Sequence, residues 1–446
     1  MSTHHLKITP RDLLFMRDAR PMEASDAGQG ANWPRPDQLW NAIMAAFWRQ
    51  WPERDHSFEG EKHTVNERDK HKDNQFRFGA LLTAGPFPYK KTDDGQSKCY
   101  FPCPLDLGIQ NNELLSMKLE PTKIGTNLPT PLKYLFVSPI LGKDSPPSWI
   151  DAETYQNYLK NDKMRIKEKK PKLYDADRNI GITIEPGRYA TVDGGLYQAE
   201  YLRLAENVSL AAFASCDLKA KAIDGMQDIL AKFLDGNQKM ILGGQQGVVK
   251  IEEMEVFDLP SLPQCPVPEN DDGPVFLRWT LLTPASFPKI AANSAKNVAP
   301  HHGGWLPTWV DSTTGEVKLP SAAQKVERQR GETREAWRKR CQGEPITGAH
   351  LVGARIGKPI YFSGWKIGDS ADAAPKQTHA AVPAGSVYLF ECENGKTARQ
   401  LWQVLNATDK SGQIINRRSA FGEKGFGLGV CSIVPKKIFL NNQENN

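Results

Sequence analysis

Apolar positions first alternate and then change period along this chain. His5 to Ile8 and Leu13 to Met16 predict opening strand-like segments, followed by the polar, glycine-containing loop RDARPMEASDAGQGANWPRP. From Pro36 the spacing becomes helical, with Leu39, Trp40, Ile43, Met44, Phe47 and Trp48 on one stripe. Pro36 suits a first helical position and Asp37 the positive end of the helix dipole. The stripe reads as core rather than as an aromatic binding platform. Further on, GITIEPGRYATVDGGLYQAEYLRL shows strand-like alternation broken by turns, and NVSLAAFASC predicts another strand. A second helix should follow, with Ala222, Ile223, Met226, Ile229, Leu230, Phe233 and Leu234 on one face and Gly236 placed to end it. KMILGGQQGVVKIEEMEVF then reads as strand, glycine turn, strand.

Polar stretches interrupt this framework. Asp55 to Asp73 is charged, Asp93 to Pro104 is turn-rich, and Gly142 to Pro171 holds most of the basic tract NDKMRIKEKKPK, which reads as a solvated loop. The Pro- and Asp-rich linker DLPSLPQCPVPENDDG separates a first domain, residues 1–258, from a second, residues 274–437, that opens on PVFLRWTLLTP. Residues 286–345 form a long excursion with HHGGW and the charged piece SAAQKVERQRGETREAWRKRC, whose mixed signs suggest a solvated face or a partner surface. The framework resumes with GAHLVGARIGKPIYFSGW and GSVYLFECE, a short helix at Thr397 to Val404 and a final strand from Leu428 to Val434. A few strands alternating with one or two helices, twice over, fit an α+β fold. The expectation is two ferredoxin-like (RRM-like) domains with long loop insertions and a C-terminal glycine-rich loop.

Composition narrows the chemistry. With 57 Lys and Arg against 52 Asp and Glu, the net charge of +5 is too mild to demand a polyanion, though local basic clusters can serve one. Seven scattered cysteines do not make a disulfide framework, which points to a reducing, cytoplasmic setting. Cys99 and Cys103 lack a second pair at zinc-ligand spacing, so no metal is expected. The N-terminal MSTHHLKITPRD lacks a secretion pattern and no run of some twenty apolar residues occurs, so no membrane is expected.

Near the end stands INRRSAFGEKGFGLGVCSIVP. A dinucleotide fingerprint places its glycines between a strand and a helix, whereas Gly425, Gly427 and Gly429 alternate and precede a strand. No P-loop Lys-Ser/Thr pair follows, and no cofactor is expected. The other use of glycine is close backbone approach, with main-chain N–H groups meeting phosphate or sugar oxygens. Arg417, Arg418 and Lys424 would add charge, and Phe421 and Phe426 would stack on bases. A plain glycine turn entering a strand is the equal alternative. The LGGQQG turn at Gly243 and Gly244, and the first loop with Arg17, Arg20 and Arg35, have the same flavour. For Arg17, pairing with Asp18 or Asp12 is the more common fate of an R-D dipeptide. Catalysis finds little support: His301, His302 and His379 are the clustered candidates for a general base, and no G-x-S-x-G elbow exists.

Taken in order, LLFMRDARPM…WPRPDQLWNAIMAAF, NIGITIEPGRYATVDGGLYQAEYLRL, LGGQQGVV, YFSGWKI…PKQTHAAVPAGSVYLFE and GFGLGVCSI resemble the third Cmr subunit of type III-B CRISPR effectors, from Leu13 to Ile433. The resemblance implies a RAMP-superfamily protein that grips the repeat-derived 5′ handle of CRISPR RNA. It also implies docking on the large Palm-domain subunit and the first backbone RAMP subunit, with target RNA met indirectly and no RNA cleavage. Arg17 and Arg20 match the family's R-D-x-R-P loop, Gly243 and Gly244 its L-G-G turn, and Gly425 and Gly427 its terminal loop. Gln245, Gln246 and Gly247 depart from the Glu and Arg expected after that turn, which removes a cation from it. The alternative is a RAMP endoribonuclease processing precursor CRISPR RNA, with His379 or His301 as base.

Overall fold

The computed structural model describes residues 3–16, 19, 33–51 and 78–440, leaving out within the last span 93–94, 123–128, 130, 141–143, 167–169, 186, 189, 220–225, 237, 295–297, 323–328, 330, 334–335, 338–340, 342, 367–373 and 410. Strand β1 (His4–Pro10) leads to helix α1 (Pro36–Gln50). As expected, Pro36 opens the helix, and the Gln38 side chain accepts the Arg35 N–H at 2.8 Å, so one unpaired donor of the first turn is satisfied. Leu39, Ile43 and Phe47 are wholly buried, which confirms the stripe as core. Leu13 to Met16 forms bridges, Leu14 to Leu202 and Phe15 to Gly244, rather than a strand.

Next along the chain come β2 (Leu82–Lys91), β3 (Ser97–Pro102), β4 (Trp149–Asp151), helix α2 (Ala152–Lys160), the hairpin β5 (Tyr174–Ile184) and β6 (Thr191–Leu204), β7 (Val208–Ser215), helix α3 (Ile229–Gly236), β8 (Lys239–Ile241) and β9 (Val248–Glu253). One sheet runs β8-β9-β1-β7-β2-β3-β4 with antiparallel neighbours throughout. Residues of α1 and α3 share one core with Leu6, Leu210, Ala212 and Ile251 of the sheet. On the opposite face, Ala84, Phe87, Ala211 and Phe213 belong to another core, shared with Leu282, Leu428 and Val430 from far down the chain. Both faces of β7 are therefore covered, and all eight of its residues are buried.

A second sheet holds β10 (Val275–Leu281), β11 (Ala349–Arg355), β12 (Val387–Cys392) and β13 (Gly429–Ile433) in the order β11-β12-β10-β13, again antiparallel. Helix α4 (Gly395–Leu405) links β12 to β13 and packs on one face; Asn394 caps it by accepting from the Thr397 N–H at 2.9 Å. The fold is thus mixed α/β, with strands predominating over four helices among the described residues.

Three expectations change. The second helix begins only at Ile229, because Met226–Asp228 pairs with Asp217–Lys219 and the Asp228 carboxylate accepts the Ala231 N–H at 3.0 Å; Ala222 and Ile223 lie outside the described residues. Asp93 to Pro104 is not merely a turn-rich interruption, since Ser97–Pro102 forms β3 of the first sheet; in the 286–345 excursion Leu306, Val310, Val317 and Leu319 complete the core under the second sheet. Gly142 to Pro171 is not all loop. Asp151 caps α2, whose Tyr155, Tyr158 and Leu159 are buried.

Candidate functional site

The glycine loop is built from the chain's own contacts. Gly425 has φ +95°, and a Cβ there would stand 2.9 Å from the Thr83 carbonyl oxygen; Gly427 has φ +74°, and its Cβ would stand 2.3 Å from the Ser419 Cβ. The Gly425 N–H donates to Gly422 O at 2.9 Å, Gly427 N–H to Pro284 O at 2.8 Å and Leu428 N–H to the Thr283 hydroxyl at 3.0 Å. Thr283 in turn donates to Gly425 O at 2.7 Å. The expected cradle of outward N–H groups at Gly425 and Gly427 is corrected: those donors are bonded inside the protein. Phe426 is corrected too. Its ring is fully buried against Phe362, 4.9 Å between centroids, so no base can stack on it.

Both arginines before the loop point inward. Arg418 Nε donates to Val404 O at 2.6 Å and its backbone N–H to Gly427 O at 3.0 Å, and burial lowers its pKa. Arg417 is half-buried, and burial pushes its pKa down to about 10 against the opposing pull of Glu423. Its Nε has no partner among the described residues. The turn at Gly243 and Gly244 is structural as well. Gly244 N–H donates to Phe15 O at 2.9 Å, and a Cβ at Gly243 would stand 2.6 Å from that oxygen. Arg17 and Arg20 lie outside the described residues.

Three predicted residues do meet. Arg35, at the start of α1, is held by Asp37 through Nε at 3.0 Å and Nη2 at 3.2 Å, with its guanidinium 5.9 Å from the Phe362 ring centre. Lys424 Nζ lies 4.7 Å from the Trp40 ring centre and 5.4 Å from that of Phe421, within cation–π range. Phe421 is half-buried and left-handed at φ +61°, and packs edge-on to Phe362 and His379. Sequence reasoning had not placed Trp40, Phe362 and His379 together. Phe362 and His379 meet because Ile360–Phe362 pairs with His379–Ala381, beside Phe421.

His379 is held towards its neutral form, first by burial and then by Lys424. His301 is different: buried, its Nε2 lies 2.9 Å from Val310 O and its Nδ1 accepts the Gly303 N–H at 3.0 Å. Both nitrogens are engaged, so His301 does not suit the base role.

Arg35 also lines a cleft of about 460 Å³ between the two sheets. Trp33, Trp149, Tyr174 and Tyr361 line it, with Trp33 centred 5.3 Å from Trp149 and 5.4 Å from Tyr174. Leu282, Thr283 and Pro284 form part of its wall, and these are the residues that the glycine loop grips. Among the described residues no group of three or more His, Cys, Asp or Glu could hold a metal, and no helix is long and apolar enough to cross a membrane.

A family model described as CRISPR-associated protein (Cas_Cmr3) matches residues 6–432. Among solved structures, a chain of a type III-B Cmr-beta complex bound to cognate target RNA is 15% identical, covers 86% of each chain and has a TM-score of 0.41. A chain of the same complex with target RNA and AMPPnP gives 14%, 86% of each chain and 0.40. A chain of a Csm3-Csm4 subcomplex of a type III-A interference complex gives 12%, 86% of this chain, 92% of that one and 0.30. Likeness of that degree carries no argument by itself. Among curated proteins, none matches.

Proposed function

The chain belongs to the Cas_Cmr3 family of CRISPR-associated proteins, and from that premise we propose that it is a non-catalytic subunit that binds the 5′ repeat-derived handle of CRISPR RNA. In this reading it links the large Palm-domain subunit to the RAMP backbone of a type III-B complex, meets target RNA only indirectly, and serves antiviral defence from the cytoplasm. The observation that carries it is the meeting of half-buried Lys424 and Phe421 with Trp40 and with the Asp37-paired Arg35, from opposite ends of the chain, in one cluster of rings and cations beside the cleft. Such surfaces suit splayed single strands, with cations following phosphates and rings taking bases.

The strand orders support two ferredoxin-like units, 1–258 and 274–437. Numbering the four central strands of the first sheet along the chain gives 4-1-3-2 for β9-β1-β7-β2, and the second sheet gives 2-3-1-4, the same order reversed. In the second unit the 286–345 excursion stands where the first crossover helix would be.

The test is a salt titration of the full chain on a synthetic RNA carrying the host's repeat-derived handle. Lys424→Ala should lower the slope of log affinity against log salt by about 0.7, one phosphate contact on a single strand. Equal slopes would remove Lys424 from the interface, and no binding at all would end the reading. A second reading, a metal-independent endoribonuclease, draws on one observation: His379 is kept neutral within electrostatic reach of Lys424, a base beside a cation. Cleavage of repeat RNA by the purified chain without metal, lost in His379→Ala, would establish it.

A further inference from the structure

We propose that the cleft between the two sheets is a slot for one unstacked base of single-stranded RNA. This rests on the handle-binding reading and adds to it a site distinct from the Lys424 surface. About 460 Å³ lies towards the small end of the range of about 300–1,000 Å³ for small-molecule sites, room for a nucleoside and not for a duplex. Its aromatic rings come from separate parts of the chain: Trp33 before α1, Trp149 in β4, Tyr174 in β5 and Tyr361 beyond β11. Trp33 is already fixed, because its indole N–H donates to Pro86 O at 2.8 Å and its ring is braced by Trp149 and Tyr174. A rigid ring keeps its stacking face in place without losing further side-chain freedom on binding. Tyr361 stands opposite in character, at 52% exposure, a ring free to close over an entering base.

The lining also argues against a peptide. Seven of the nineteen lining residues are proline, which has no N–H, so this wall is poor in the main-chain donors that a strand-adding peptide needs. A base asks for π-faces instead. The Arg35 guanidinium, ion-paired with Asp37 and mostly buried, lines the cleft as a planar group, and its contact with Phe362 joins the cleft to the cluster holding Phe421 and Lys424, the nearby cation. A strand whose phosphates follow Lys424 would thus pass the mouth of the cleft.

The experiment measures binding of the full chain to the handle RNA and to a series in which each nucleotide in turn is made abasic, for wild type, Tyr361→Ala and Tyr361→Phe. Tyr361 is exposed, so its replacement leaves the fold intact, and Tyr361→Phe keeps the ring. The expected result is one abasic position that costs wild type and Tyr361→Phe about 5- to 150-fold in affinity. In Tyr361→Ala the intact RNA should bind more weakly and that position should lose most of its effect. RNA bound with a flat abasic profile, or with the same profile in Tyr361→Ala, overturns the slot while leaving handle binding standing. No binding of the handle by wild type overturns both.

Discussion

Asp106→Ala should destabilise the junction between the two sheets. Asp106 and Arg278 are 2% and 1% exposed, and the carboxylate bonds Arg278 Nη1 at 3.0 Å and accepts from the Tyr158 hydroxyl at 2.8 Å. Arg278, in β10, also donates through Nε to Ser432 of β13 at 2.9 Å and through Nη2 to the Tyr158 carbonyl at 3.1 Å, with its Cζ 3.8 Å from the Tyr158 ring centre. One guanidinium therefore ties α2 and the segment after β3 to the second sheet. Removing only the carboxylate leaves a buried cation without its counter-charge, a loss of about 3–5 kcal/mol, or roughly 140- to 3,700-fold in the folded ratio at 1.4 kcal/mol per decade. The assay is urea unfolding followed by tryptophan fluorescence, with hydrogen exchange at β10 and β13 to localise the loss. Asp106→Leu combined with Arg278→Met should recover most of it, because no charge is then buried. If Asp106→Ala stays within about 1 kcal/mol of wild type, the network contributes no net stability and the fastening argument is wrong.

Gly427→Ala combines a left-handed backbone, about 1–2 kcal/mol, with overlap on Ser419, about 1–3 kcal/mol, so urea midpoints should fall together with RNA affinity; affinity lost at unchanged stability would show that the loop touches RNA after all. Arg418→Ala should cost about 1–3 kcal/mol through the Val404 bond and leave the salt slope alone, the reverse of Lys424→Ala; a lower slope at full stability would refute the inward assignment. For His4, burial opposes the charged form, but Asp228 at 2.7 Å and Glu253 at 2.8 Å overcome it and raise the pKa. A raised folded value means that this stability is complete below the unfolded value of about 6.5 and is lost as pH rises through the folded one. Subtracting the His4→Gln urea profile from wild type removes the opposite contribution of His5, whose pKa burial lowers; a flat difference from pH 5 to 9 would refute the clamp.

What could be read from the sequence was what local chemistry decides. Helix α1 announced itself through Pro36, Asp37 and a six-residue stripe, and the run from Lys239 to Glu253 through its glycine turn. Helix α2 was hidden, although Asp151 with Tyr155, Tyr158 and Leu159 at helical spacing was the available signal, because nine residues inside a polar stretch give too short a period to stand out. The core role of Val310 and Val317 was not legible either. They meet as an isolated bridge, with no periodicity to betray it. In the candidate site, residue type picked out Arg35, Phe421 and Lys424, but their partners Trp40 and Phe362 arrive through tertiary packing. Nor could sequence tell Phe421 from Phe426: one sits half-buried at a left-handed turn and the other is sealed in a core.

The crowding of glycines before the last strand follows from this packing. Gly425 must pass against the Thr83 carbonyl, Gly427 against Ser419 and Gly429 against the Trp279 indole, where an added Cβ would stand 2.1 Å from the ring nitrogen. Close approach is the need, as the composition suggested, but the surface approached is the protein's own. What the loop grips is the 282–284 turn, which walls the cleft, and the turn it makes at Phe421 carries that ring and Lys424 to the surface beside Arg35. In the proposed reading, its influence on a bound strand is therefore indirect for the glycines and direct for the lysine. Changes at the glycines should move stability, cleft shape and affinity together, whereas a change at Lys424 should move the salt dependence, along with its cation–π contacts to Trp40 and Phe421.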